Sequence, residues 1–342
     1  MNSHKTSYNR YIIICLIVIL PVLVFFSLGI GSESISVSTI IDVITGKIEA
    51  LNSSSIIILR LRIPRIILSF TVGAVLAVSG LIYQTILKNP LTDPFTLGIS
   101  SGASFGAAIG VFISEQIFGH RLPLFPFSFI GAAVSIFVIF YFSMKKHLTI
   151  FTLIFIGISI SFFFNAGMTL ILSLMGNRAN EVLMWTFGSF TNPPTYLMIS
   201  IFCIVSILGI LFFYVLNGVL DIFYLSGETV KTTGVNVTLF RTLFFVVPSL
   251  ITAFAVSLTG IIGFVGLITP HIARYIFGHR HKHLIPGAVL IGGILLLSAD
   301  NVARSVLSLF TDYGRELPVG VITAFIGAPF YLFFLMRYKD GV

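Results

Sequence analysis

The chain has 342 residues, 56% of them hydrophobic and only 9% charged. A water-soluble domain carries about 25% charged residues, so a soluble globular fold is excluded. The net charge of +8 would raise nucleic acid as a partner in a soluble chain. Here it sits in short loops between apolar runs and reads as a topology signal, with no nucleic-acid partner expected.

In lipid, every backbone N–H and C=O must be paired inside the protein, which leaves helix bundles and closed barrels. The apolar runs are continuous, lack polar alternation and approach the roughly 20 residues a crossing helix needs. The expected class is therefore all-α, a polytopic membrane protein forming one domain over residues 1–342. The first run, 11–31, follows Lys5 and Arg10. It exceeds the ~7–15 residues of a signal-peptide core and has no Ala-x-Ala site, so a retained membrane helix is expected. Further helices are expected over 65–87, 95–113, 123–143, 150–173, 194–216, 241–261, 263–277, 284–299 and 317–336, ten in all. The eighth and ninth are short, and the boundary near Gly260–Gly263 is weakly marked.

With the N-terminus in the cytoplasm, inside loops and tails hold 12 of the 20 Lys and Arg, and outside loops hold 8. That bias follows the positive-inside rule and places both termini in the cytoplasm. Gly98, Gly102, Gly106 and Gly110 form a small-residue face whose expected role is close helix packing. Ala77–Gly80 before a Pro-broken loop is echoed by Val256–Gly260 before Thr269-Pro270-His271. Paired interruptions of this kind mark inverted repeats in transporters.

Catalytic signatures are missing from the sequence. There is no Gly-x-x-x-x-Gly-Lys-Ser/Thr loop, and Gly98–Gly106 contains no lysine. Neither a His-Glu-x-x-His motif nor a Ser/His/Asp spacing for a nucleophile occurs. Cys15 and Cys203 lie inside apolar runs and imply no disulfide or metal. His279, His281 and His283 alternate with Arg280 and Lys282, which would repel a cation, so this stretch reads as a basic cytoplasmic loop. Asp300 and Arg304 stand four apart, a spacing that lets a pair neutralise itself on one helix face. Arg60, Arg62 and Arg65 crowd the expected outer end of the second helix, more than snorkelling requires, and mark a site for carboxylates of a docking protein or ligand. The loop from Leu220 to Arg241 reads as two short helices about a Gly234 turn and is long enough to suggest a functional contact.

These residues fall into an ordered set. It comprises Arg62-x-Pro-Arg65; Gly80-x-x-x-Gln84 followed by Lys88-Asn89-Pro90-Leu91-x-x-Pro94; and Leu97-Gly98-x-x-x-Gly102-Ala103. Further on come Trp185-x-x-Gly188-Ser189, Gly263-Phe-Val-Gly-Leu-Ile-x-Pro270-His271-x-x-Arg274, Ala299-Asp300-x-x-Ala-Arg304, Glu316-Leu-Pro318-x-Gly320 and Gly327-Ala-Pro329-Phe330. The set resembles the FecCD family of ATP-binding-cassette (ABC) importer permeases, which carry iron–siderophore complexes, haem or vitamin B12. The resemblance implies the type II importer fold, ten helices with an inverted repeat, and transport without catalysis or cofactor. It implies a homodimer or a pairing with a paralogous permease, seated on a cytoplasmic ABC ATPase dimer. A periplasmic or lipoprotein substrate-binding protein would deliver the cargo.

Residue by residue, the resemblance places Arg62, Arg65 and Arg304 at the binding-protein docking face. It places Asn89 and Leu91 at a cytoplasmic gate, completed by Thr149, Ile150 and Phe151. It places Leu225, Ser226, Gly227, Glu228, Lys231, Gly234 and Val235 in the loop that couples to the ATPase. Ser226 and Gly227 replace the usual Gly and acid, and Thr233 replaces a common leucine. Thr149-Ile150-Phe151 replaces the small polar gate residues of B12-carrying members and speaks against B12. An iron chelate ranks first as cargo, ahead of haem, cobalamin and molybdate. An ion-coupled secondary transporter would need carboxylates near mid-membrane, and a membrane enzyme a clustered His/Asp/Glu set; the acids here sit in loops and at helix ends.

Overall fold

The computed structural model describes residues 2–31, 33, 35–48, 52–145, 150–224, 234–307 and 316–338. Helices and short turns account for them, and no strand occurs among the described residues. In chain order, α1 is Asn2–Gly29, α2 the short Val37–Ile44 and α3 Ser53–Ile86. Next come α4 Ile99–Ile113, α5 Phe125–Lys145, α6 Ile150–Leu174 and the short α7 Ala179–Thr186. The rest are α8 Tyr196–Val215, the short α9 Asn217–Tyr224, α10 Val237–Thr259, α11 Val265–Phe277, α12 His281–Ser305 and α13 Val319–Tyr338.

All ten expected apolar helices are present. Seven of them (α1, α3, α5, α6, α8, α10 and α12) contain stretches long and apolar enough to cross a bilayer. The 13-residue α11 is too short to do so as a straight helix, α4 runs on into a π-helical turn at Ser114–Phe118, and α13 is apolar in sequence as far as Met336. Among the helices that extend beyond the sequence reading, two bear on the site. The second helix begins at Ser53 rather than 65, capped by Asn52 and passing through a π-helical turn at Ile57–Arg62. Such a wide turn absorbs the clash that Pro64 would otherwise make with the preceding turn. The ninth helix runs from His281 to Ser305 instead of 284–299. Polar residues at its ends read as loop in a linear sequence, yet here they are paired across helices.

The buried helix α3 is the axis of the molecule: almost every residue from Ile66 to Ile86 is inside. It packs against α12, α11, α10 and α8, while α4 packs against α5 and α6. Lipid offers no hydrophobic drive for helices to associate, so contact depends on close backbone approach. At the α3–α12 crossing a Cβ on Gly73 would lie 2.3 Å from Gly292 O, and at the α3–α11 crossing one on Gly80 would lie 1.9 Å from Gly266 O. The expected glycine face of α4 packs in the same way: added methyls at Gly102 and Gly106 would strike the α5 carbonyls of Gly131 and Phe127.

The two short helices are entered alike. A left-handed residue precedes each: Gly98, at φ 73°, before α4, and Phe264, at φ 69°, before α11. The segments ahead of them meet, since Pro94 and the Asp93 carboxylate lie against Gly266 at the start of α11. The ring of Phe264 fills the space beside Gly327 of α13, where a Cβ would come within 2.2 Å of it.

Candidate functional site

At one end of α3, three arginines of one cluster converge. Arg65 donates from Nε and Nη2 to Asp300 at 2.9 and 2.8 Å, and from Nη1 to Glu316 Oε2 at 2.6 Å. Arg304 donates to Ser27 O at 3.2 Å, to Ser27 Oγ at 2.8 Å and to Asn301 Oδ1, with its Nε 3.4 Å from Asp300 Oδ2. Arg62 donates to the carbonyls of Leu28 and Glu33. The cluster thus ties α1, α3, α12 and the approach to α13 together. Asp300 is fully buried, and Arg62, Arg65 and Arg304 are only 5%, 6% and 2% exposed. Charges at this depth are tolerable where they are paired, as Arg65, Arg304 and Asp300 are, or held by backbone carbonyls, as Arg62 is.

The expected Asp300–Arg304 pair is present, with Arg304 Nε 3.4 Å from Asp300 Oδ2, but the acid is shared. Asp300 belongs first to Arg65 of another helix, which grips it in a bidentate fork. The carboxylates that meet Arg65 are the chain's own. Glu316, Ser27, Asn301 and Glu33 were not singled out from the sequence; Glu316 was visible only as part of a motif, and the others carry no local signal. The arginines still line a polar cleft of about 360 Å³ with Gly31, Glu33, Thr191 and Glu316. Arg60 is exposed, next in sequence to Leu61 and about one turn after Ile57, both of which line this cleft.

At the opposite end of α3, Asn89 and Leu91 form a tight turn in which Leu91 N–H donates to Asn89 Oδ1 at 2.9 Å. An Asx turn of this kind needs the short amide side chain. Pro90 O lies 3.0 Å from His271 Nε2. Gln84 accepts from Arg274 Nη1 at 2.5 Å and donates to the carbonyls of Thr92 and Leu267, both at 3.4 Å. Beside the turn is a second cleft, of about 430 Å³, lined by Gln84, Lys88, Pro90, Tyr224, His271, Arg274 and His279. Gln84, His271 and Arg274, known from the sequence only as motif positions, are what hold the turn against α11.

Of the other expected gate residues, Thr149 lies outside the described residues, and Ile150 and Phe151 open α6. Of the expected coupling residues, Leu225, Ser226, Gly227, Glu228 and Lys231 lie outside the described residues. Gly234 adopts φ 72°, as a turn there requires, and Val235 packs against the main core. The three alternating histidines do not share a centre: His279 lies over the Tyr224 ring, while His281 is buried against Asp221 and Thr85.

Comparison with known proteins settles the lineage. Residues 18–337 match the model of the FecCD transport family. The chain belongs to that family. This FecCD protein is 32% identical over 333 residues to the Fe(3+)-citrate import system permease protein YfmE of Bacillus subtilis, covering 94% of each chain. It is 31% identical over 341 residues to the molybdate import system permease protein MolB of Haemophilus influenzae, covering 98% of each. A solved structure of a metal-chelate type ABC transporter in an inward-facing conformation superposes with a TM-score of 0.81 at 31% identity, covering 96% of this chain and 99% of the other. The FecCD chain is thus an all-α, multi-pass membrane protein with the permease fold.

Proposed function

We propose that this FecCD protein is the membrane-spanning subunit of an ABC importer and moves an iron chelate across the cytoplasmic membrane by alternating access. One observation carries the reading: a single buried helix, α3, bears the arginine-lined cleft at one end and the Asn89–Leu91 turn at the other. Two copies line one path, with the cleft outside, the turn inside and both termini cytoplasmic. A loaded binding protein docks at the cleft lined by Arg62, Arg65 and Arg304, where the exposed Arg60 beside them attracts its acidic side chains, and the turn forms the exit gate with Thr149, Ile150 and Phe151. ATP is hydrolysed on separate subunits, whose movement enters through Leu225, Ser226, Gly227, Glu228, Lys231, Gly234 and Val235. The nucleotide-bound ATPases favour one conformation of the permease over the other, and that difference drives the cycle.

Iron-chelate cargo is supported by the similarity to the Fe(3+)-citrate permease. The molybdate permease, similar over nearly its whole length, supports an oxyanion as the second reading. The test is uptake into liposomes holding the permease, its ATPase and its binding protein. ATP-dependent uptake of a radiolabelled ferric chelate, lost on omitting either partner, is the expected result. Uptake of molybdate but no ferric chelate selects the second reading, and uptake without the ATPase overturns the importer assignment.

A further inference from the structure

His281 joins three helices at the end of the molecule that holds the Asn89–Leu91 turn. It is the first residue of α12 and 1% exposed. Its Nδ1 donates to Asp221 Oδ1 of α9 at 2.6 Å, and its backbone N–H donates to the same oxygen at 2.9 Å. Its Nε2 lies 3.0 Å from Thr85 Oγ1 in the last full turn of α3. One imidazole therefore fastens α9 to α3 and, through its own backbone, to the start of α12. The Asp221 carboxylate also caps that start, where the helix dipole favours a negative charge.

The position of the junction gives it consequence. Asp221 is on α9, the eight-residue helix that ends at Tyr224, the residue directly before Leu225. Thr85 is four residues before Asn89. The α9 helix packs on α3 and α12, with Leu220 and Phe223 buried beneath it. A displacement of α9 thus reaches the gate turn through one side chain and the short stretch from Thr85 to Asn89, in which the helix ends at Ile86 and Lys88 takes a left-handed φ of 48°.

We propose that His281 is a positioning residue that transmits movement of α9, at the base of the ATPase-facing loop, to the Asn89–Leu91 gate turn through Asp221 and Thr85. This rests on the importer reading above and names a relay within it. A route between sites is established by coupling measurements and not by proximity, so the test is energetic. In liposomes containing the whole complex, cargo moved per ATP hydrolysed is compared for wild type, Thr85→Val, Thr85→Ser, Asp221→Asn and the double variant Thr85→Val with Asp221→Asn. Valine keeps the shape of threonine and removes the oxygen; serine keeps the oxygen.

Thr85→Val and Asp221→Asn are expected to reduce cargo per ATP by about tenfold, within the range of couplings between protein sites, while the ATPase stays bound. Thr85→Ser should retain wild-type coupling, and the double variant should be no worse than the poorer single one. Wild-type coupling in Thr85→Val overturns the proposal. Equal losses in Thr85→Val and Thr85→Ser, additive losses in the double variant, or loss of ATPase binding overturn it as well. A wild-type complex that moves no chelate or oxyanion counts instead against the importer reading.

Discussion

The Arg65–Asp300 contact shows how a charge can be both buried and stable. Removing one partner strands the other, at a cost of about 3–5 kcal/mol for a buried ion. Arg65→Ala should therefore unfold at markedly lower temperature in detergent, and Arg65→Leu combined with Asp300→Leu should not recover the loss, because Glu316 and Arg304 then lose their charge partners. For docking, this makes charge reversal at Arg65 a poor probe, because it would face Asp300 and Glu316 with a third acid. Arg60 is exposed and outside that network, so Arg60→Glu should weaken binding-protein attachment several-fold in a titration at low salt and leave the melting temperature unchanged. Asp221 offers a pH test at the other end. Burial raises its carboxyl pKa, but hydrogen bonds from the His281 side chain and backbone, with the charges of His281 and Arg280, bring it below the ordinary range. A carboxylate lowered in this way contributes stability above its unfolded value and loses it as pH falls through the folded one. Asp221→Asn should accordingly flatten the acid side of a stability–pH profile measured by thermal unfolding.

Whole elements depend on backbone contact where α3 crosses its neighbours. Gly80→Ala would put a methyl 1.9 Å from Gly266 O and 2.6 Å from its carbon. Backbone cannot yield as a flexible side chain can, so the helices must separate, at a cost of about 1–3 kcal/mol or more. Gly263→Ala meets nothing within 4 Å and serves as the control. The expected outcome is loss of folded protein on size exclusion for Gly80→Ala and none for Gly263→Ala. These crossings also explain what could be read in advance. The runs 65–87 and 194–216 were legible because no charged residue interrupts them beyond Arg65 at the start of the first. The extension of α3 to Ser53 and of α12 to Ser305 was not, because Arg62, Asp300 and Arg304 look like loop residues until their partners from other helices are known. The cleft's arginines were visible as a cluster, but their engagement by Asp300 and Glu316 joins residues more than two hundred positions apart.

For the molecule as a whole, the two clefts at opposite ends of α3 give a test of orientation. In a background lacking Cys15 and Cys203, a cysteine at Arg60 should react with a membrane-impermeant maleimide applied to intact cells, and one at Lys88 only after the membrane is opened. The reverse pattern would invert the topology proposed above. The order of the helices, both short ones included, was readable from hydropathy. The meeting of the two interrupted segments was not, since the sequence presents Asp93 and Gly266 as unrelated positions. The aromatic ring seated beside Gly327 has an evolutionary corollary. No side chain can grow at 327 while Phe264 stands there, so substitution at this pair is ordered in time, with the ring shrinking first. Lineages that carry a larger residue at 327 should therefore all have lost the aromatic at 264.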